Sequence, residues 1–191
     1  MSSSAFNVRK IVQVSSLIMS KCPGGQIEHV KLMKLLYMVD RLAIKQLGFP
    51  LSDDKYYSMA KGPILSHTLN LINGKYEETG QAEWSATIGK LSPGFVLRLE
   101  KPIDELSFEE LSDAEIQLVE TICDEFGSTD VWELVEWTHN NFPEWEDPGS
   151  SRSPISIEAL VGNLGLGAEE SKELLEHLQE REAFESVFLR S

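Results

Sequence analysis

Cysteine is scarce in this chain. Its 191 residues hold two, Cys22 and Cys123, with no C-x-x-C pair. That argues against a disulfide framework and against a thiolate zinc site. Reduced thiols in the cytoplasm are the simplest expectation. Long apolar runs are also missing, since none approaches the roughly 20 apolar residues of a membrane span. Arg9 and Lys10, an apolar stretch over 11–19 and then Cys22 outline a lipoprotein signal, but the detail fails. Gln13, Ser15 and Ser16 interrupt the stretch, and Lys21 stands where a small residue is needed. Val8, Ile11, Val12, Ser15, Ile18 and Met19 instead fall on one helical face.

Catalytic signatures are equally thin. No glycine precedes Lys-Ser or Lys-Thr in a P-loop pattern. The stretch Gly162-Asn163-Leu164-Gly165-Leu166-Gly167 does not open a βαβ unit, so nucleotide binding is not expected there. His29, His67, His139 and His177 are scattered without H-E-x-x-H spacing, and no metal site or cofactor is expected. Ser66 and His67 are neighbours, but adjacent helical residues point about 100° apart and do not make a catalytic pair. Paired carboxylates such as Glu109-Glu110 read as a solvated face. The C-terminal helices carry Glu where a recognition helix carries Arg, Lys, Asn or Gln, so direct nucleic-acid binding is not expected. Lys31, Lys34, Arg41 and Lys45 form a basic row on one helix, which reads as the solvated side of an amphipathic element.

What the chain has is acid. The formal net charge is −14. Residues 1–76 hold ten Lys/Arg and four Asp/Glu, a net +6; the remainder hold seven Lys/Arg and 27 Asp/Glu, a net −20. An acidic field repels nucleic-acid phosphates and speeds encounter with basic partners. The hydrophobic share, 41%, and the charged share, 25%, are those of a globular protein.

The pattern predicts a predominantly helical α+β domain over 1–191, with a core at about 5–163 and a C-terminal helix and strand over 164–191 packed on it. Helices are expected near 5–20 and 28–46, the second stopped by Gly48 and Pro50. Gly62-Pro63 reads as a breaker that opens a helix over 64–72, with Pro63 near its first position. Segments 82–88 and 95–99 read as a β-hairpin across Ser92-Pro93-Gly94, and 184–189 as a partner strand. Ser112-Asp113-Ala114-Glu115 matches a capping box, and Asp130 and Glu133 repeat the spacing. Shorter helices follow near 157–163 and 168–180. The total is six or seven helices with a small antiparallel hairpin or three-stranded sheet.

Three segments carry more. They are Lys31-Leu32-Met33-Lys34-Leu35-Leu36-Tyr37 with Gly48-Phe49-Pro50-Leu51; Lys61-Gly62-Pro63-Ile64; and Ser112 to Glu115 with Phe126-Gly127, Thr138-His139 and Pro143-Glu144-Trp145. In this order the chain resembles the SocA-like antitoxins, the Panacea domain, over about 5–163. It departs at Lys61, where the family often has an aromatic residue, and at Met38-Val39-Asp40. Some relatives carry an added DNA-binding domain, which is not expected here.

The resemblance implies a phage-associated, non-enzymatic antitoxin that neutralises a cognate toxin by direct protein binding. A basic surface on the toxin would suit the acidic field; a homo-oligomer stays open. The alternatives are a protease adaptor or another protein-interaction module, and a small hydrolase or transferase built on Ser66, His67 and His139. The candidate partner contacts are Tyr56, Tyr57, Lys61, Trp84 and Trp145, large side chains expected in turns and short segments. Lys31, Leu35, Leu36, Tyr37, Gly62, Pro63, Thr138 and His139 are the motif positions, with Leu32, Leu35, Leu36 and Tyr37 expected in the core. At least one of Trp132 and Trp137 should be buried.

Overall fold

The computed structural model describes residues 6–91 and 95–188. Among them are eight α-helices and two three-stranded antiparallel sheets, an α+β arrangement dominated by helix. Helix α1 (Val8–Ser20) starts on Asn7, whose side chain accepts the Lys10 N–H at 3.1 Å. A tight turn at Pro23–Gly25 leads into β1 (Gln26–Glu28) and then α2 (His29–Leu47). Gly48 closes α2 in the left-handed region, at φ 83. Strands β2 (Tyr56–Met59) and β3 (Gly62–Leu65) form a hairpin about Ala60-Lys61. Next come α3 (Ser66–Asn73), α4 (Glu78–Ser85), β4 (Ile88–Leu91) and β5 (Val96–Leu99). The chain continues through α5 (Asp113–Phe126), α6 (Val131–Asn141), β6 (Ser153–Pro154), α7 (Ile157–Gly162) and α8 (Ala168–Phe188).

Local signals hold where a cap is present. Ser112 and Glu115 make both bonds of the capping box at the start of α5. Asp130 accepts from the N–H groups of Trp132 and Glu133 to start α6.

Three expectations need correction. Residues 82–85 are helical, so the first strand of the hairpin begins only at Ile88. Glu77 caps α4 by accepting from Thr79 and Gly80 N–H, and Trp84 is buried beneath it. The expected turn at 92–94 lies outside the described residues. The third strand of that sheet is β1, in the order β1-β5-β4, with Ile27 opposite Leu97. Residues 184–188 extend α8 instead, and 189 lies outside the described residues. The Glu, Lys, Leu, Gln and Arg content of 168–183 favours helix, and 184–188 continue that helix. Finally, Gly62-Pro63 opens a strand, not a helix, and α3 begins at Ser66. Gly62 adopts φ 98, and Pro63 lies on the outer strand of the order β3-β2-β6, where its missing N–H is tolerated.

Helix α2 is the axis of the core. It packs against α1, α5, α6, α7 and β3. Leu32, Leu35, Tyr37, Val39, Ala43 and Ile44 are fully buried on it, and Leu36 almost so. Each of the Leu, Val and Ile side chains among them contributes about 1.5–3 kcal/mol by leaving water.

Two buried carboxylates tie the loop after α2 to the core. Asp40 accepts from Leu51 N–H and Ser52 N–H at 3.0 Å, from the Tyr56 hydroxyl at 2.9 Å, and from the Ser52 hydroxyl. Burial pushes Asp40 up to about 7 against the pull of these donors. Asp54 accepts from His67 N–H at 2.7 Å and from both Thr68 N–H and its hydroxyl at 2.8 Å. It therefore caps α3 from thirteen residues away, where no adjacent side chain does so.

Replacing Asp54 with alanine leaves those donors buried without an acceptor. Asp54→Ala is expected to lower unfolding free energy by about 2–4 kcal/mol in urea titration. Hydrogen exchange should show α3 losing protection ahead of α5.

Candidate partner-binding site

The basic row on α2 faces the protein. Lys31 Nζ donates to the carbonyl oxygens of Gly127 at 2.7 Å and Thr129 at 2.6 Å, where α5 ends. Cations suit the carbonyl-rich end of a helix. Lys34 Nζ donates to the Pro63 carbonyl at 2.7 Å, with the residue 1% exposed. Arg41 Nε donates to Glu144 at 2.8 Å, its guanidinium also reaches the Asn163 carbonyl, and it lies over the Phe142 ring. Lys45 alone of the four is solvated. The expected solvated face is thus corrected: long apolar stems carry three of these charges inward to backbone and carboxylate oxygens.

Lys34 has no carboxylate partner among the described residues, and burial lowers its ammonium to about 7. It is pressed against the hairpin. A Cβ on Gly62 would stand 2.8 Å from Lys34 Nζ and 3.0 Å from Thr138 Oγ1. Thr138 is fully buried, its hydroxyl donating to the Val135 carbonyl. The next residue, His139, stacks on Trp145 with ring centroids 3.8 Å apart and planes 1° from parallel. Its Nε2 is buried without a protein hydrogen-bond partner, and burial and the nearby Lys34 lower its pKa. Trp145 Nε1 donates to the Met59 carbonyl at 2.9 Å. Glu144 accepts the Tyr37 hydroxyl at 3.0 Å beside Arg41. Lys34, Gly62, Pro63, Thr138, His139 and Trp145, distant in sequence, therefore meet where α2, the β2–β3 hairpin and the end of α6 converge.

The candidate contacts separate into two groups. Tyr56 and Trp84 are 7% and 2% exposed, so they belong to the core and not to a contact surface. Tyr57 is half-buried under Arg152, and Trp145 is half-buried against His139. Lys61 is exposed, with Nζ 5.1 Å from the centre of the Trp132 ring. Trp137 is the inward tryptophan, packed against Phe126 and Phe142. Trp132 stays 58% exposed and Phe95 77%. Neither was singled out as a contact from sequence. Trp132 could have been, because Leu134, Val135 and Thr138 fix the inner face of α6 and leave it outside.

The hydrolase constellation does not assemble. The His67 ring lies against Phe6 and Tyr76, whereas His139 lies against Trp145. No hydrogen bond or ring contact joins Ser66, His67 and His139 among the described residues. No group of three or more His, Cys, Asp or Glu there is placed to hold a metal ion. No helix there is long and apolar enough to cross a membrane.

Two substitutions test the junction. Gly62→Ala forces a strained backbone and a clash, and should cost about 2–4 kcal/mol of stability in urea titration. Lys34→Met should change the response to pH. The folded lysine loses its proton near pH 7 and the unfolded one near 10.5, so the unfolded chain binds more protons between these values. The wild type should therefore gain stability relative to Lys34→Met as pH rises from 7 to 9.5. A constant difference between their urea midpoints over that window would refute the assignment.

No curated protein and no solved structure matches the chain. The family model described as Antitoxin SocA-like, Panacea domain matches residues 32–146, more than half of the chain. The match runs from within α2 to just beyond Trp145 and so encloses the whole junction around Lys34, Gly62 and His139; by this the chain belongs to the SocA-like antitoxin family, as a Panacea domain.

Proposed function

We propose that this chain is the antitoxin of a toxin–antitoxin pair and neutralises its partner by direct protein–protein binding, without chemistry of its own. The observation that carries this reading is how the motif residues are used. Lys31, Lys34, Tyr37, Arg41, Glu144 and Trp145 direct their polar groups to backbone carbonyls or to one another. They brace a rigid support and do not line an open cleft. The most chemically unusual group among them, the Lys34 amine, is 1% exposed and offers a substrate no approach. Rigid, preformed surfaces favour binding, because little conformational entropy is lost on association. The net charge of −20 over residues 77–191 supports the same reading, since it would draw a partner with a basic surface at long range.

Expression of the product of the neighbouring gene alone should arrest growth, and co-expression of this chain should relieve the arrest. The two proteins should co-purify as a stable complex. Relief without a complex, with loss of the neighbour only when a cellular protease is active, would instead favour the adaptor reading. No toxicity and no complex would count against both.

A further inference from the structure

The family match ends at residue 146, yet the chain beyond it returns to the first family motif. Helix α8 lies against the loop Gly48-Phe49-Pro50-Leu51-Ser52-Asp53 that follows α2. A Cβ on Gly48 would stand 3.6 Å from His177 Cδ2. One turn further along α8, the Arg181 guanidinium lies 5.6 Å from the centre of the Phe49 ring, and its Nη2 donates to Asp53 Oδ2 at 2.7 Å. Leu178, three residues before Arg181 and on the same side of the helix, is buried in the core. The loop is thus gripped by an aliphatic and a guanidinium side chain one turn apart.

The two sides of the loop are held differently. From the α2 side, Asp40 accepts the N–H groups of Leu51 and Ser52. Phe49 and Asp53 are the loop side chains that meet Arg181. Asp53 has φ 49, the one positive value at a non-glycine position among the described residues. Aspartate tolerates that conformation.

The helix itself is lightly seated. Of residues 168–184 only Leu178 is buried, and Ser171, Leu174, Leu175 and Arg181 are half-buried. It does not depend on the core to stay helical. Its Ala, Glu, Leu, Lys and Gln content favours helix, and Lys172 Nζ lies 3.8 Å from Glu169 and 3.9 Å from Glu176. An element with few buried apolar side chains detaches at lower cost than a core helix such as α2.

We propose that α8 is an autoinhibitory strap. Closed, it fills a docking site made by Phe49 and Asp53. Open, it yields that site to a helical segment of the partner that carries an aliphatic side chain and, three residues on, an arginine. The helix already seated there defines this chemistry. Lys45 and Lys55, both exposed, flank the loop in sequence, so the site takes one guanidinium at Asp53 and not a run of basic residues. The partner's apparent affinity is reduced by the fraction of chains in which the strap is closed. This deepens the antitoxin reading and rests on it.

Two experiments separate the failure of one idea from that of the other. The first needs no toxin. Arg181→Gln in the full chain should speed hydrogen exchange over 168–184 at least fivefold and leave α2 and α5 as protected as in the wild type. A synthetic peptide of residues 168–188, added to that variant, should shift the NMR signals of Phe49 and Asp53; the same peptide with its own arginine at 181 replaced by glutamine should not. Unchanged exchange, no shift from the first peptide, or equal shifts from both would overturn the proposal. In the second, the neighbouring gene product is the probe. Arg181→Gln, with the site uncovered and Asp53 intact, should bind it at least threefold more tightly than the wild type. Asp53→Asn also unfastens the strap but removes the carboxylate the partner needs, so it should show no gain. A strap with only a structural role would make the two variants alike. Equal or weaker binding by Arg181→Gln, or an equal gain in both variants, overturns the docking site and leaves the antitoxin reading standing. If the wild type neither binds the probe nor relieves growth arrest, the antitoxin reading falls and the proposal falls with it.

Discussion

Lys34 donates its hydrogen bond to Pro63 from inside the protein, and the arrangement around it follows from that contact. Burying an amine far from any carboxylate costs stability unless its surroundings supply oxygen. The hairpin supplies the Pro63 carbonyl, and to bring it within 2.7 Å the backbone must pass directly over the amine. Only glycine fits at position 62 on that path, both for its φ and for the space left beside Thr138. Once the hairpin is seated, Met59 presents the carbonyl that Trp145 needs, and Trp145 in turn backs His139. The loop after α6 is then placed so that Glu144 reaches Tyr37 and Arg41, returning the constraint to α2. The circuit begins and ends on one helix.

Such a circuit explains how a small domain can hold aromatic side chains out to solvent. Trp132 and Phe95 stand on elements whose interiors are fixed by buried contacts, Leu134 and Thr138 under the first and Leu97 under the second. The polar inside and the apolar outside are complementary features. Charged groups directed inward to backbone carbonyls immobilise the scaffold, and the surface is left to carry side chains that a partner can cover.

Much of this was legible in the sequence, and the parts that were not share a cause. Helices α1, α2, α5 and α6 follow from apolar periodicity and from caps that lie next to them in sequence, such as Ser112 with Glu115. The ordered motifs carried the resemblance to the family. Non-local partners were out of reach. Nothing in Gln26-Ile27-Glu28 announces a strand until Leu97 and Arg98 are opposite it. Lys34 looks like any helix-surface lysine until Pro63 lies across it. Asp54 caps α3 from another segment, so no adjacent residue signals the start of that helix. Gly62-Pro63 misled for a related reason, because a proline at the entry to a helix and one on an outer strand are alike in sequence.

The sheet built on that hairpin has a further property. Its order is β3-β2-β6, and each outer strand contains a proline, Pro63 in one and Pro154 in the other. An outer strand without a full set of N–H donors is a poor template for an added strand from another molecule. The sheet is therefore closed to main-chain augmentation on both sides. That protects the chain from edge-to-edge self-association, and it means that a neighbour meeting this end of the molecule must be recognised by side chains, residue by residue, and not by a backbone ladder indifferent to sequence.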